Sequence, residues 1–368
     1  MDGPQPAARR RARRAPRNLA CLGEPAAARA PRAGGAGAAG DGVSAEGEGE
    51  ALRLGTGGEF DRLRAIFASL GAAARGLGDD CALVRIGTRT LALSIDLSLE
   101  GVHFRTDWLS FREIGWRATA AALSDLAAEG AKPIGVLASV GLPGRGRGRG
   151  KGRRDPATEI MSGVGAAARS VGASVLGGDL VRSSRYLVDV CALGFAQRPV
   201  RRSGARPGDG LWVTGRLGGA GLALRALAAR RRVPPALRRR FAHPVPRIAA
   251  GVWLARHGAR AMIDVSDGLT GDASHLAAAS GVRVEIALEH MLCWPGATPL
   301  AAVRSGEEYE LLVALPTRFG ERHAGAFRRA IGLPLTRIGA CTAGRGVRIT
   351  DDGRPITPPR SFDHFPRR

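Results

Sequence analysis

The feature that most restricts the fold is an alternation of two residue patterns that starts near residue 58 and continues almost to the C-terminus. Short β-type runs predict strands at 91–96, 134–140, 174–176, 186–193, 211–214, 262–265, 282–288 and 309–315. Ala-rich stretches of helical period predict helices between them, at 117–128, 157–170, 220–229, 246–256 and 272–279. An earlier helix is predicted where Phe60, Leu63, Ile66, Phe67 and Leu70 recur at helical spacing. This order predicts an α/β or α+β fold, in which helices cover sheets.

Residues 1–52 are rich in Ala, Gly, Pro and Arg and nearly lack large apolar side chains, so they cannot bury enough surface to offset their ordering entropy. They are expected to form a disordered extension; a misassigned start codon or a targeting peptide would give the same composition. The remaining length suits an N-terminal domain over 53–200 and a C-terminal domain over 201–368, divided in the basic, Pro-containing stretch 197–207 before Gly208-Asp209.

Charge and cysteine content exclude several classes. The chain carries 55 Lys and Arg against 33 Asp and Glu, a net charge of +22, which by itself would suggest a nucleic-acid partner. Much of the excess lies in segments that read as tail or loop: Arg9 to Arg32, the Gly/Arg run 144–154, and the clusters at 230–232 and 238–240. No aromatics are interleaved with them, and aromatic content is only 5%, so stacking platforms are absent and nucleic acid is an unlikely partner. Cys21, Cys81, Cys191, Cys293 and Cys341 are scattered and form no C-x-x-C pair, which fits a reducing cytoplasm better than a disulfide framework. No apolar run approaches the roughly 18 residues that span a bilayer, so no membrane partner is expected.

The chemistry is suggested by acidic residues at strand ends beside small residues: Asp79-Asp80, Asp96, Asp125, Asp179, and Asp264 with Asp267. Magnesium takes oxygen ligands and shares them with substrate phosphates, so converging carboxylates are what a metal–nucleotide site needs. Each has an ordinary alternative as a turn, a helix cap or a solvated side chain. Along 91–96, alternation places Ala92, Ser94 and Asp96 on one face; Leu91, Leu93 and Ile95 are expected to face a core. No G-x-x-x-x-G-K-[ST] loop occurs, and the Gly215 to Gly221 segment reads as a tight turn opening a helix.

In the same order along the chain, Gly58-Glu59-Phe60, Gly78-Asp79-Asp80-Cys81-Ala82-Leu83, Ser94-Ile95-Asp96, Leu123-Ser124-Asp125-Leu126-Ala127-Ala128, Gly177-Gly178-Asp179, Ile263-Asp264-Val265-Ser266-Asp267-Gly268, Gly306-Glu307-Glu308-Tyr309-Glu310-Leu311 and Asp363-His364-Phe365 resemble the motifs of the thiamine-monophosphate kinase family. That family is a branch of the aminoimidazole ribonucleotide synthetase and selenophosphate synthetase superfamily. The resemblance implies a two-domain aminoimidazole-ribonucleotide-synthetase-like fold, with an N-terminal ATP- and metal-binding domain whose sheet forms a homodimer interface. It implies several Mg2+ ions held by Asp80, Ser94, Ile95, Asp96, Asp125, Asp179, Asp264 and Asp267. ATP contacts would come from Gly178, Asp179, Arg202 and Ser266, and contacts to thiamine monophosphate from His103 and Glu307.

The reaction so implied is in-line transfer of the ATP γ-phosphoryl group onto an already ionised phosphate, giving thiamine diphosphate and ADP without a phospho-enzyme or a dedicated general base. A sister ATP-dependent enzyme of the superfamily and an inactive nucleotide-binding paralogue are the alternatives. The chain departs from the family pattern at Ile95 and Leu180-Val181, where Thr is usual, and at Glu308, where Asp is usual. Pro358-Pro359 also replaces a region that commonly supplies an aromatic, leaving Phe362 as the available substitute.

Overall fold

Two sheets, each with helices against it, share their elements in strict chain order. The computed structural model describes residues 43–45, 51–144 and 155–365, all within the unit Asp41–Arg368. The Gly/Arg run and most of the expected extension lie outside the described residues. Within that extension Val43–Ala45 forms a short strand, and from Ala51 the chain is placed.

The first sheet comprises β1 (Val43–Ala45), β2 (Ala82–Ile86), β3 (Arg89–Leu99), β4 (Lys132–Pro143), β5 (Ser174–Ser183) and β6 (Leu187–Ala196), ordered β1-β2-β3-β6-β4-β5. All its pairs are antiparallel except β4 with β5, which the helical crossover α3 (Pro156–Ser170) joins in parallel. The helix α1 (Gly58–Leu70) precedes β2, and α2 (Phe111–Ala128) follows β3. A Ser110–Glu113 capping box starts α2, and at the start of α3 Asp155 accepts from Thr158 N ahead of Pro156, so each helix N-terminus has a side-chain cap. The helices cross closely: a Cβ on Gly115 would lie 1.9 Å from Ile160 O, and one on Gly163 1.9 Å from Arg112 O. They cover the sheet face carrying Ala92, Val136, Val188 and Val190, and among the described residues no helix covers the opposite face.

The second sheet comprises β7 (Gly210–Thr214), β8 (Ala261–Asp264), β9 (Arg283–Ala287), β10 (Leu311–Leu315), β11 (Leu335–Thr342), β12 (Gly346–Asp351) and β13 (Arg354–Ile356), ordered β13-β12-β9-β11-β7-β10-β8. The strands β7, β8 and β10 are buried at every residue, which is why they are apolar except at their ends, where Thr214 closes β7 and Asp264 closes β8. Helices α4 (Gly219–Ala228), α5 (Pro235–Ala242), α6 (Ile248–Arg256), α7 (Leu269–Ser280), α8 (Pro299–Val303) and α9 (Glu321–Ile331) complete this part. Trp212, Met262 and Phe327 fill a core that also takes in Ala127 and Ala128, so the end of α2 packs on both halves of the chain.

Several sequence expectations change. Strand β5 continues through Gly177 and Gly178 to Ser183 because β4 pairs with its whole length. The basic cluster at 238–240 belongs to α5, not to a loop; Arg240 is buried against Glu308 and Glu310. Ile95 does not face a core: it is 70% exposed, because α2 and α3 cover the Ala92 and Ser94 face instead. The Gly215 to Gly221 segment is the helix-opening turn expected, with Gly218 left-handed at φ 95° where an added Cβ would meet Ala297 at 2.7 Å.

The last described residues close the structure. Asp363 accepts from Gly58 N at 2.7 Å and Glu59 N at 3.2 Å, supplying the cap that Gly57 cannot provide to α1. Two motifs about 300 residues apart in sequence thereby meet.

Candidate active site

Carboxylates from different elements converge beside the C-terminal half of α2. Asp80 precedes β2, Asp125 lies on α2 and Asp264 ends β8; one oxygen from each lies within 4.8 Å of the others. Ser94 on β3 donates its hydroxyl to Asp125 Oδ2, and Ser124 donates to Asp264 Oδ2 at 2.6 Å. Adjacent residues of α2 thus serve both sheets. Asp96, two residues beyond Ser94 on β3, comes close enough that Asp80, Asp189 and Asp267 each raise its pKa.

Few cations balance these acids. The Arg202 guanidinium donates to Asp80 Oδ1 at 2.7 Å and to Gly78 O at 3.3 Å, and its backbone N donates to Asp79 Oδ1 at 3.0 Å. Asp79 Oδ2, Asp80 Oδ2 and both carboxyl oxygens of Glu129 are buried and meet no donor; the Glu129 carboxyl faces that of Asp79, a contact that favours its protonated form. Burial raises the Asp264 carboxyl to about 8, with Asp80 adding to the effect. It raises Asp96 to about 6, helped by Asp189, and Asp267 to about 6, helped by Glu59. Asp125 and Glu129 are pushed well above the ordinary carboxylate range, first by burial and then by neighbouring acids. Like charges this close cannot all ionise alone, so the donor set suits a hard divalent cation with oxygen ligands.

A second group lies beside Asp267. Leu99 N donates to His103 Nδ1 at 3.1 Å, and the His103 ring lies 5.0 Å from that of His364. Phe362 sits edge-on to His364 at 4.7 Å, is 54% exposed, and donates its backbone N to Asp267 O at 3.2 Å. Burial, and then His364, lowers the His103 pKa from 6.5, so its ring is neutral near pH 7. Arg117, buried, donates to Glu307 Oε1 and to Phe241 O. Glu307 and Tyr309 both have left-handed backbones, at φ 58° and 48°. Hydrogen bonds from Glu307 N to Ser266 O at 2.6 Å and from Tyr309 N to Val265 O at 2.8 Å hold that bend against the Asp264–Asp267 loop.

Within this chain Gly178 and Asp179 stay outside the cluster. Both are exposed on the edge strand β5, where among the described residues Asp179 Oδ1 accepts from the neighbouring Leu180 N, at 2.8 Å. The Ile95 side chain also points away from it. Glu129, Ser124 and Arg117 were not singled out by sequence, because a Glu, a Ser or an Arg in a helix ordinarily reads as solvated. Glu308 is not part of the cluster either: its Oε1 accepts from Gly218 N, Ala220 N and Ser305 Oγ, capping α4.

Residues 78–196 match the AIR synthase related protein N-terminal domain, and residues 206–352 the corresponding C-terminal domain. The thiamine-monophosphate kinase of Escherichia coli K12 is 34% identical over 334 residues, covering 83% of this chain and 95% of that one. The Aquifex aeolicus thiamine-monophosphate kinase is 33% identical over 328 residues, covering 85% and 100%. The structure of AaThiL complexed with AMPPCP and TMP superposes with a TM-score of 0.72 at 30% identity, covering 84% and 97% of the two chains. Escherichia coli HypE, at 19% identity and a TM-score of 0.60, covers 74% of this chain and 87% of its own, and shares the fold alone. The two-domain fold expected from the motif resemblance is therefore the fold of this chain. By its matched domains and its relatives, the chain belongs to the AIR synthase related family, in its thiamine-monophosphate kinase branch.

Proposed function

We propose that this protein is a magnesium-dependent thiamine-monophosphate kinase of the cytoplasm, transferring the γ-phosphoryl group of ATP to thiamine monophosphate. The observation that carries the reading is the convergence of Asp80, Asp125 and Asp264, from three separate elements, with too few cations to balance them. Asp80, Ser94, Asp96, Asp125, Asp264 and Asp267 would hold the ions, with Ile95 contributing through its backbone. Bound Mg2+ would offset the repulsion between two anionic phosphates, and such positioning with charge neutralisation is where phosphoryl-transfer enzymes gain most of their rate.

The protein's own groups orient the reactants. Arg202, fixed by Asp80 and Gly78, and Ser266 in the Asp264–Asp267 loop face the nucleotide phosphates. The neutral His103 ring, with His364 and Phe362, offers an aromatic wall for the thiamine ring, and Glu307, held by Arg117, borders the acceptor. No side chain need remove a proton, since the acceptor phosphate is already ionised.

The uncovered face of the first sheet completes the reading. Ile95, Leu97 and Leu137 are exposed there at 70%, 50% and 39%, a contiguous apolar surface suited to a second copy of the chain. Pairing register puts Asp179 in the row of Ser139, Asp189 and Leu97, on that same face. Homodimer formation is thus the step that would bring Gly178 and Asp179 to a phosphate.

The test incubates purified protein with Mg2+, ATP and thiamine monophosphate and follows thiamine diphosphate and ADP by chromatography, with free thiamine as control acceptor. Diphosphate made from the monophosphate alone is the expected result. A folded, ATP-binding protein that makes none would point to the sister activity or the inactive paralogue.

A further inference from the structure

A cavity of about 760 Å3 opens where β3 and β4 begin and β6 ends, against α6. Its lining includes Arg89, Lys132, Arg198 and Arg256, and no acidic residue. All four cations are exposed, and none is ion-paired with an acid among the described residues. The Arg89 guanidinium lies over the Phe195 ring at 5.2 Å, and Arg256 reaches Gln197 Oε1 at 3.4 Å, so two of the four are oriented by neutral neighbours. None of these residues belongs to the carboxylate cluster; on β3, Arg89 and Ser94 are separated by about 16 Å of extended chain.

Grouping unpaired cations around a concavity is unfavourable for the protein alone, because like charges repel and low-dielectric walls focus their field. The same arrangement is favourable once an anion enters. The volume falls in the range of small-molecule sites, and guanidinium groups bind phosphate through paired N–H donors. A single phosphate would leave most of the charge unmatched, whereas a chain of linked phosphates would reach several of the cations.

We propose that this cavity is a second, metal-independent anion site that binds a polyphosphate, either inorganic or carried by a nucleoside. Phe195 is the aromatic surface available to a base, so it separates the two sources.

The test is isothermal titration of the full chain with sodium tripolyphosphate in EDTA, where the carboxylate cluster, lacking metal, repels the ligand. A single binding event is expected, weakened about tenfold or more in the Lys132→Ala/Arg256→Ala double variant, which removes two of the four charge-assisted contacts. Removing two exposed cations from α9, in Arg328→Ala/Arg329→Ala, should leave it unchanged, and unfolding midpoints should confirm that both variants fold. ATP binding more tightly than tripolyphosphate, with the advantage lost in Phe195→Leu, assigns a nucleotide; equal affinity assigns an inorganic polyphosphate. No heat from the unaltered protein, or equal weakening by the α9 pair, overturns the proposal. Neither outcome depends on whether the protein phosphorylates thiamine monophosphate.

Discussion

Two sets of buried acids lie in this molecule, and they are treated in opposite ways. Glu310 receives Arg247 through two contacts, at 2.8 and 2.5 Å, together with Arg240 at 3.1 Å and the Thr214 hydroxyl at 2.7 Å. Glu308 is matched by Arg240, Ser305 and the N-terminus of α4, which oppose the rise in its pKa that burial causes. Around α2, by contrast, Asp80, Asp125, Asp264 and Glu129 share Arg202, the field of Arg201 on Glu129 and two serine hydroxyls, and buried oxygens are left without donors. A fold that can saturate one acidic cluster has left the other short of positive charge. Buried acids therefore do not by themselves mark a site; the deficit of donors does.

Taking a partner from the saturated cluster should have the largest effect on stability. Arg240→Ala strips a cation from Glu308 and Glu310 and should cost about 3 kcal/mol or more in denaturant unfolding. A cost within error of zero would mean that the cluster is not the structural element described. In the deficient cluster the outcome should reverse: Asp264→Asn should lower turnover about 100- to 1000-fold, the scale of removing a group that stabilises transferring charge, while its metal-free unfolding midpoint stays level or rises. A loss of both activity and fold would erase the contrast between the two clusters.

The pH dependence sharpens the same contrast. In the folded, metal-free protein Asp264 is raised to about 8 and Asp96 and Asp267 to about 6, against 3.8 for an ordinary Asp. Between those values the folded state binds more protons than the unfolded one, so stability should fall as pH rises from about 4 to about 8. Thermal melts with and without Mg2+ check this, and added Mg2+ should flatten the decline. The smallest effect concerns the substrate wall: Phe362→Ala should raise KM for thiamine monophosphate about threefold to tenfold with little change in kcat, as loss of an aromatic contact would.

The sequence made the deficient cluster partly legible. Asp80, Asp96, Asp125 and Asp264 stand out because each sits at a strand end or beside small residues, where a carboxylate serves no packing purpose, and alternation along β3 puts Ser94 on the face of Asp96. Which face of β3 would be covered was not legible, because alternation defines two faces and only tertiary packing chooses between them; hence Ile95 was assigned inward. Glu129 looked like any Glu near a helix end until α2 proved to be enclosed by both halves of the chain. The helix α9 is strongly amphipathic, but its apolar stripe is only Ala324, Phe327 and Ile331 among charged residues, too short a run to stand out by composition. The cap from Asp363 to α1 joins distant segments and has no local signal at all.

The most direct measurement compares single-turnover formation of thiamine diphosphate by the unaltered protein and by Asp264→Asn, at saturating ATP and across a Mg2+ titration. The donor-poor cluster should make the unaltered protein wholly dependent on a divalent ion and leave the variant nearly silent at every Mg2+ concentration, with an unchanged fold. Equal turnover in the two proteins, or turnover that persists in EDTA, would contradict it.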